Sequence, residues 1–143
     1  MPASTRRFTP ETPLRFLPVL RTFAITVGLL GVAAFAWAGE QPFEKAAYTA
    51  ALAKGQPVIV DFSARGCPTC KAQKPIVQSL LKEPALQGVT LFVADFDTET
   101  ALKRELRVTP QSTFVVFKAG QEVARSTGQT DKAVLAEAFA KAL

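Results

Sequence analysis

The 143-residue chain carries 17 basic and 12 acidic side chains, a formal net charge of +5, two cysteines, one methionine and no histidine. That length holds one domain of ordinary size, and the missing histidine excludes serine-histidine triads and histidine-bearing zinc sites. With 48 % hydrophobic and 20 % charged residues the chain is not disordered.

At the N-terminus Arg6, Arg7, Arg15 and Arg21 precede an apolar stretch from Phe23 to Phe35, which ends at Ala36-Trp37-Ala38-Gly39. A positive segment, an apolar segment and small residues around a cut site are the order of a secretory signal peptide. Residues 1–38 are therefore expected to be a signal peptide cleaved after Ala38, and residues 39–143 the exported domain. The alternative is an uncleaved membrane anchor over residues 22–38, near the lower length limit of ~17 residues for a spanning helix. Cleavage would leave 13 basic and 11 acidic groups, scattered among one another as in Lys103-Arg104-Glu105. No basic stripe with interleaved aromatics remains, so nucleic acid is not an expected partner.

Beyond Gly39 no repeat or linker breaks the chain. Phe43, Ala46, Ala47, Ala50 and Ala51 recur at helical spacing until Gly55 stops the pattern. Val58-Ile59-Val60-Asp61-Phe62 is a short apolar run rich in β-branched residues, as in a strand covered on both faces. Cys70 to Lys82 reads as a helix interrupted at Pro75, because proline removes a backbone donor and crowds the preceding turn. Val89 to Ala94 is a second buried strand, and a helix from Thr98 to Leu106 follows.

Phe114 to Phe117 and Glu122 to Ser126 are two strands joined by a hairpin through Lys118-Ala119-Gly120-Gln121. Leu135, Ala138, Phe139 and Ala142 form a closing amphipathic helix, capped by Thr130 or Asp131. A βαβ unit, a hairpin and a last helix imply an α/β fold: a mixed four-stranded sheet with helices on both faces. The seven phenylalanines after Gly39, among them Phe62, Phe92, Phe114 and Phe117, are expected in the core.

Cys67-Pro68-Thr69-Cys70 carries the chemistry. A thiol is nucleophilic only as its thiolate, and an ordinary cysteine, with a pKa of ~8.5, is mostly protonated at neutral pH. Cys67 follows a strand and opens a helix, where unpaired N–H groups and the positive end of the helix dipole favour negative charge. Cys67 is thus the expected attacking sulfur. Cys70, one turn along, is the expected resolving sulfur. A permanent structural disulfide is a competing reading, although its four-residue ring would constrain little of the unfolded chain. Half of a zinc site is another, although the other ligands would have to come from a chain without histidine or further cysteine.

Asp61 interrupts the apolar run of a strand that should be buried, and desolvation there raises a carboxyl pKa toward neutrality. Such a group can exchange a proton with Cys70. The plainer reading is a solvated carboxylate at the strand end that only caps the loop. Arg65 and Lys71 flank the cysteines and could lower a thiolate pKa or meet an acidic partner, or could simply be solvated.

Val60-Asp61-Phe62-Ser63-Ala64, Cys67-Pro68-Thr69-Cys70-Lys71 and Pro75 together resemble the active-site segment of the thioredoxin family. Phe117-Lys118-Ala119-Gly120 and Gly128 resemble the family's hairpin and the glycine after it. The resemblance extends from Pro57 to Leu143. It implies a thioredoxin fold and dithiol-disulfide exchange, with Cys67 attacking, Cys70 resolving and Asp61 as the buried acid, and no cofactor beyond the redox-active disulfide.

The chain departs from the family at several places. Gly66 stands where tryptophan is usual, and Pro68-Thr69 replaces Gly-Pro between the cysteines. No lysine lies on the strand from Val89 to Ala94, and the exported domain begins too late for the family's first edge strand. An ungapped match through Thr113 to Lys118 puts Ser112 at the place of the family's cis-proline, with Pro110 two residues early; the alternative is a small insertion that lets Thr109-Pro110 supply the cis bond. A cis bond before a non-proline residue costs ~2.5–4 kcal/mol, so a trans bond is expected at Ser112. The segment Thr109, Pro110, Gln111, Ser112 is the expected substrate-binding loop, on the resemblance alone.

The expected function is an exported, periplasmic thiol:disulfide oxidoreductase, leaning to reductase. Its partners would be cysteine-containing exported proteins and, as electron source, a membrane electron-transfer protein, with the chain itself a monomer. Two alternatives stand beside it: a module that holds a soft metal such as Cu(I) between the thiolates, and a redox-inert interaction domain.

Overall fold

The computed structural model describes residues 39–143. The expected signal peptide, with the stretch 22–38 considered as an anchor, lies outside the described residues. The elements run β1 (Gly39–Pro42), α1 (Lys45–Ala53), β2 (Val58–Ser63), α2 (Pro68–Leu80), β3 (Thr90–Asp95), α3 (Thr100–Glu105), β4 (Thr113–Lys118), β5 (Gln121–Thr127) and α4 (Lys132–Ala140). A short 3-10 turn at Pro84–Leu86 links α2 to β3.

The sheet order is β1-β3-β2-β4-β5. β3 runs parallel to both β1 and β2, while β4 is antiparallel to β2 and to β5. The mixed sheet is therefore as expected in kind but has five strands rather than four. The additional strand is the edge strand that the sequence reading placed beyond the start of the domain. Gly-Glu-Gln-Pro has no β-branched residue and no alternation, so nothing in it marks a strand. It is held by main-chain pairing with β3, continued by Gly39 N–H donating to Val89 O and Phe43 N–H to Val93 O, each at 2.9 Å.

Side chains alternate across the sheet, and each face makes its own core. Val58, Val60, Phe62, Phe92, Ala94, Val115 and Phe117 pack with Tyr48 and Ala51 of α1 and Leu102 of α3. Ile59, Leu91, Phe114 and Val116 pack with Val77 and Leu80 of α2 and with Leu135 and Phe139 of α4. Burying such a side chain stabilises by roughly 1.5–3 kcal/mol, so these two layers supply most of the driving force. Asp61 shares the face of Ile59, and its register partners are Val93 on β3 and Phe114 on β4. Its carboxyl is thus carried on the side that α2 covers.

The helix at the cysteines begins earlier than expected and is not broken. α2 runs from Pro68 to Leu80 with Pro75 inside it, and Cys67 is its N-cap. Pro68 is tolerated in the first turn because that N–H has no intrahelical partner. At the other end of the sheet β4 and β5 are joined by Ala119 (φ 49°) and Gly120 (φ 77°), both in the left-handed region that a two-residue hairpin turn needs. Gly120 is also crowded: a Cβ there would lie 3.3 Å from Leu52 O. Asp131, not Thr130, caps α4, accepting from Ala133 N–H and Val134 N–H.

Candidate active site

The ends of β2, α2 and the segment before β4 meet at the two cysteines. Cys67 and Cys70 are disulfide-bonded, with Cα atoms 5.3 Å apart, as one turn of helix places them. The Cys70 N–H donates to Cys67 Sγ at 3.0 Å, so the sulfur itself satisfies one of the free donors at the head of α2. This is the environment in which a thiolate at Cys67 gains most: a donor aimed at the charge and the positive end of a helix behind it. Both residues are buried, Cys67 at 3 % and Cys70 at 6 % exposure, so the sulfur is approached over a narrow opening.

Asp61, Cys67 and Cys70 border one cleft of about 380 Å³, together with Glu40, Arg65, Lys71, Lys74, Val93 and Asp95. Asp61 as a residue is half-buried, but its Oδ1 is fully enclosed and accepts no hydrogen bond among the described residues. Desolvation first, and the nearby Glu40 carboxylate second, push its pKa up to about 7. Val93 occupies the neighbouring position on β3, so no cation from that strand offsets the burial. The result is a carboxyl poised between its two protonation states near neutral pH.

From the other side comes Ser112. Its Oγ lies 3.0 Å from Cys67 Sγ and 3.0 Å from Cys70 Sγ. Its backbone is anchored by Ser112 N–H donating to Phe62 O and Gly128 N–H donating to Ser112 O, both at 2.9 Å. No peptide bond is cis among the described residues, and Ser112 has φ 60°. Pro110 faces elsewhere: it is exposed, and its carbonyl accepts from Thr113 Oγ1 at 2.9 Å. Gln111 is exposed as well, and Thr109 borders a separate cleft with Thr100, Lys103, Arg104 and Arg107. Of the four residues expected to hold substrate, Ser112 alone touches the sulfurs.

Gly66 and Pro68 are exposed beside Cys67, and Thr69 is half-buried. A Cβ at Gly66 would meet nothing within 4 Å, so the place of the missing aromatic is open surface. Lys71 and Arg65 are exposed on the cleft rim. No group of three or more Cys, Asp or Glu is arranged to hold a metal ion among the described residues.

Two residues of the site escaped the sequence reading. Gln73 is buried on α2, and its Nε2 donates to Gln129 O at 2.9 Å and, more weakly, to Ser112 O at 3.5 Å. Its signal was present, since Cys70, Gln73, Val77 and Leu80 form one buried helical stripe with a polar member. Glu40 left no such signal, because the strand that carries it could not be recognised.

The Thioredoxin family model matches residues 40–141. The chain belongs to the thioredoxin family. A thioredoxin of Mycobacterium bovis is 36 % identical over 87 residues, covering 61 % of this chain and 74 % of the relative. The bifunctional thioredoxin reductase/thioredoxin of Mycobacterium leprae is 36 % identical over 84 residues, which are 59 % of this chain but 18 % of that protein's length. Among solved structures, Trxlp of Edwardsiella tarda superposes with a TM-score of 0.68 at 39 % identity, over 69 % of this chain and 96 % of that one. Family and geometry agree: the Cys67-Cys70 pair is the redox centre of a thiol:disulfide oxidoreductase.

Proposed function

We propose that this thioredoxin-family protein works outside the cytosol as a reductant of disulfides in exported proteins, in the periplasm where the host is Gram-negative. The observation that carries the chemistry is the Cys70 N–H donating to Cys67 Sγ at the head of α2. Cys67, as thiolate, attacks one sulfur of a partner's disulfide; a bond forms between Cys67 and that sulfur, and the other partner sulfur leaves as thiolate. Cys70 then gives its proton to Asp61, attacks Cys67 Sγ and expels the second partner thiolate. Two electrons have passed to the partner, and the Cys67-Cys70 disulfide has formed. Asp61, with its pKa raised to about 7, is suited to take that proton because a buried carboxylate is a stronger base than an exposed one.

Three sequence features support the extracytosolic reductant: the order of basic, apolar and small residues over 1–38, the small net charge of the remainder, and Asp61, Lys71 and Pro75 as in reducing family members. A reductant there must be recharged, and the electron source that fits is a membrane electron-transfer protein rather than a cytosolic pool. The partners are cysteine-containing exported proteins, met by the chain as a monomer.

Equilibration of the pair against glutathione, read by thiol trapping, tests the direction. A potential near ~−270 mV is expected, and one near ~−120 mV would make the protein an oxidant instead. Replacing Cys67→Ser should abolish exchange altogether, whereas Cys70→Ser should accumulate partners as mixed disulfides on Cys67. Exchange that persists in Cys67→Ser would overturn the assignment of the attacking sulfur.

A further inference from the structure

Ser112 is held in a conformation that side-chain-bearing residues rarely adopt, with φ 60°. Such a backbone persists only where its surroundings over-determine it. Here the Ser112 N–H is bound to Phe62 O, its carbonyl accepts from Gly128 N–H, and Gln73 Nε2 approaches the same carbonyl. These restraints come from β2, from the segment after β5 and from α2, the elements that build the site. Their combined effect is to aim one hydroxyl, 3 % exposed as a residue, at both sulfurs from 3.0 Å.

The disulfide sulfurs carry no hydrogen, so in the oxidised protein the hydroxyl is the donor and its single proton is shared between two weak acceptors. Reduction changes the balance, because a thiolate is a far stronger acceptor than a disulfide sulfur. We propose that Ser112 is a catalytic residue whose O–H donates to whichever active-site sulfur is anionic, to Cys67 at attack and to Cys70 at resolution. The inference rests on the exchange reaction assigned above.

The steps balance without any new reactant. With Cys67 as thiolate, its sulfur accepts from both Cys70 N–H and Ser112 O–H. When Cys67 bonds to the partner's sulfur its charge leaves on the departing thiolate, and the hydroxyl is released. When Cys70 gives up its proton, the same hydroxyl turns to Cys70 Sγ, already at the same distance, until the charge passes to the second departing thiolate. Ser112 itself neither gains nor loses a proton. With its oxygen already 3.0 Å from both sulfurs and buried from water, such a donor stabilises developing charge with no more than a rotation of its O–H. A proline at this position could offer none of it, having neither a hydroxyl nor access to φ 60°.

The test uses the reduced 143-residue chain with Ser112→Ala and Ser112→Gly, following the pH dependence of Cys67 alkylation by iodoacetamide. Both variants lack the hydroxyl, while glycine adopts positive φ freely and so keeps the backbone even if the alanine variant does not fold. Both should move the alkylation midpoint up by about one pH unit, a roughly tenfold drop in the acid dissociation constant of the Cys67 thiol, equivalent to ~1.4 kcal/mol. Release of partner thiol from a preformed Cys67 mixed disulfide should slow by a similar factor. A Ser112→Gly profile that superimposes on the parent's would overturn the proposal. The parent's own exchange with glutathione, measured alongside, separates this failure from failure of the oxidoreductase reading, in which the parent too would not exchange.

Discussion

Two polar side chains stand at the cysteine pair, Ser112 in contact with both sulfurs and Asp61 lining the same cleft, and the protein keeps them buried in opposite ways. Ser112 enters from the segment before β4 with every polar group engaged: N–H, carbonyl and hydroxyl all have partners. Asp61 enters from the middle of the sheet with Oδ1 unpartnered, next to a second carboxylate and between Val93 and Phe114. A buried group with full hydrogen bonding is fixed in place and in protonation state, whereas a buried acid without partners is left free to change its proton. The contrast fits the division of labour proposed above, in which one side of the pair would orient a donor and the other would exchange a proton.

The largest break in that contrast comes from Asp61→Asn. Burial raises the folded-state pKa from 3.8 to about 7, so below pH 3.8 the carboxyl is protonated in both folded and unfolded chains. As pH rises toward 7 the unfolded chain releases this proton and the folded protein retains it, so stability falls across that window. The accumulated loss is on the order of 3–4 kcal/mol at pH 7.5, and urea unfolding of the oxidised protein against pH should show it in the parent but not in Asp61→Asn. Resolution of a Cys67 mixed disulfide should meanwhile slow by about 10²-fold at neutral pH, the lower end of what a positioned base contributes. An unchanged pH slope of stability would mean that Asp61 is solvated after all.

Gln73→Leu attacks the opposite arm. It removes the bond to Gln129 O and the weaker contact to Ser112 O, and leaves Gln129 O without that donor. Loss of such a buried bond costs about 1–2 kcal/mol, softened here because the unpartnered Gln73 Oε1 goes with it. The local consequence should exceed the global one: the amides of Ser112 and Gly128, which pin the strained residue, should exchange with solvent faster relative to those of β2. Equal protection in parent and variant would show that the loop is held by its main-chain bonds alone.

What the sequence discloses differs between these two arms for a physical reason. Asp61 is conspicuous because it is a charge within an apolar run, and a cost of that kind is visible in one strand without knowledge of its neighbours. The cysteine pair is legible in the same way, since its spacing along a helix fixes its geometry. Ser112 and Gln73 owe their importance to contacts 39 to 56 residues apart in the chain, and local pattern shows at most that Gln73 is a polar member of a buried helical stripe, not what it bonds. β2, β3 and the hairpin announce themselves by β-branched and aromatic runs, whereas β1 is a strand only because β3 offers it an unpaired edge. The continuous passage of α2 through Pro75 is a further case: packing of Val77 and Leu80 on the sheet outweighs the local penalty of the proline.

Glu40→Gln is the smallest perturbation and the most discriminating between the two causes that raise the Asp61 pKa. Burial ranks ahead of the Glu40 charge, and Glu40 is itself exposed, where solvent screens its field. Removing that negative charge makes ionised Asp61 easier to form, so the pKa must fall, and with it the acid limb of the pH profile for mixed-disulfide resolution. The fall should be a few tenths of a pH unit at about 0.15 M salt and should grow as salt is lowered, as an interaction through solvent does. A drop to the ordinary carboxylate range would instead make like-charge repulsion, not desolvation between Val93 and Phe114, the force that holds the proton on Asp61. In that case β1, the strand with the weakest sequence signal, would set the chemistry of the cleft.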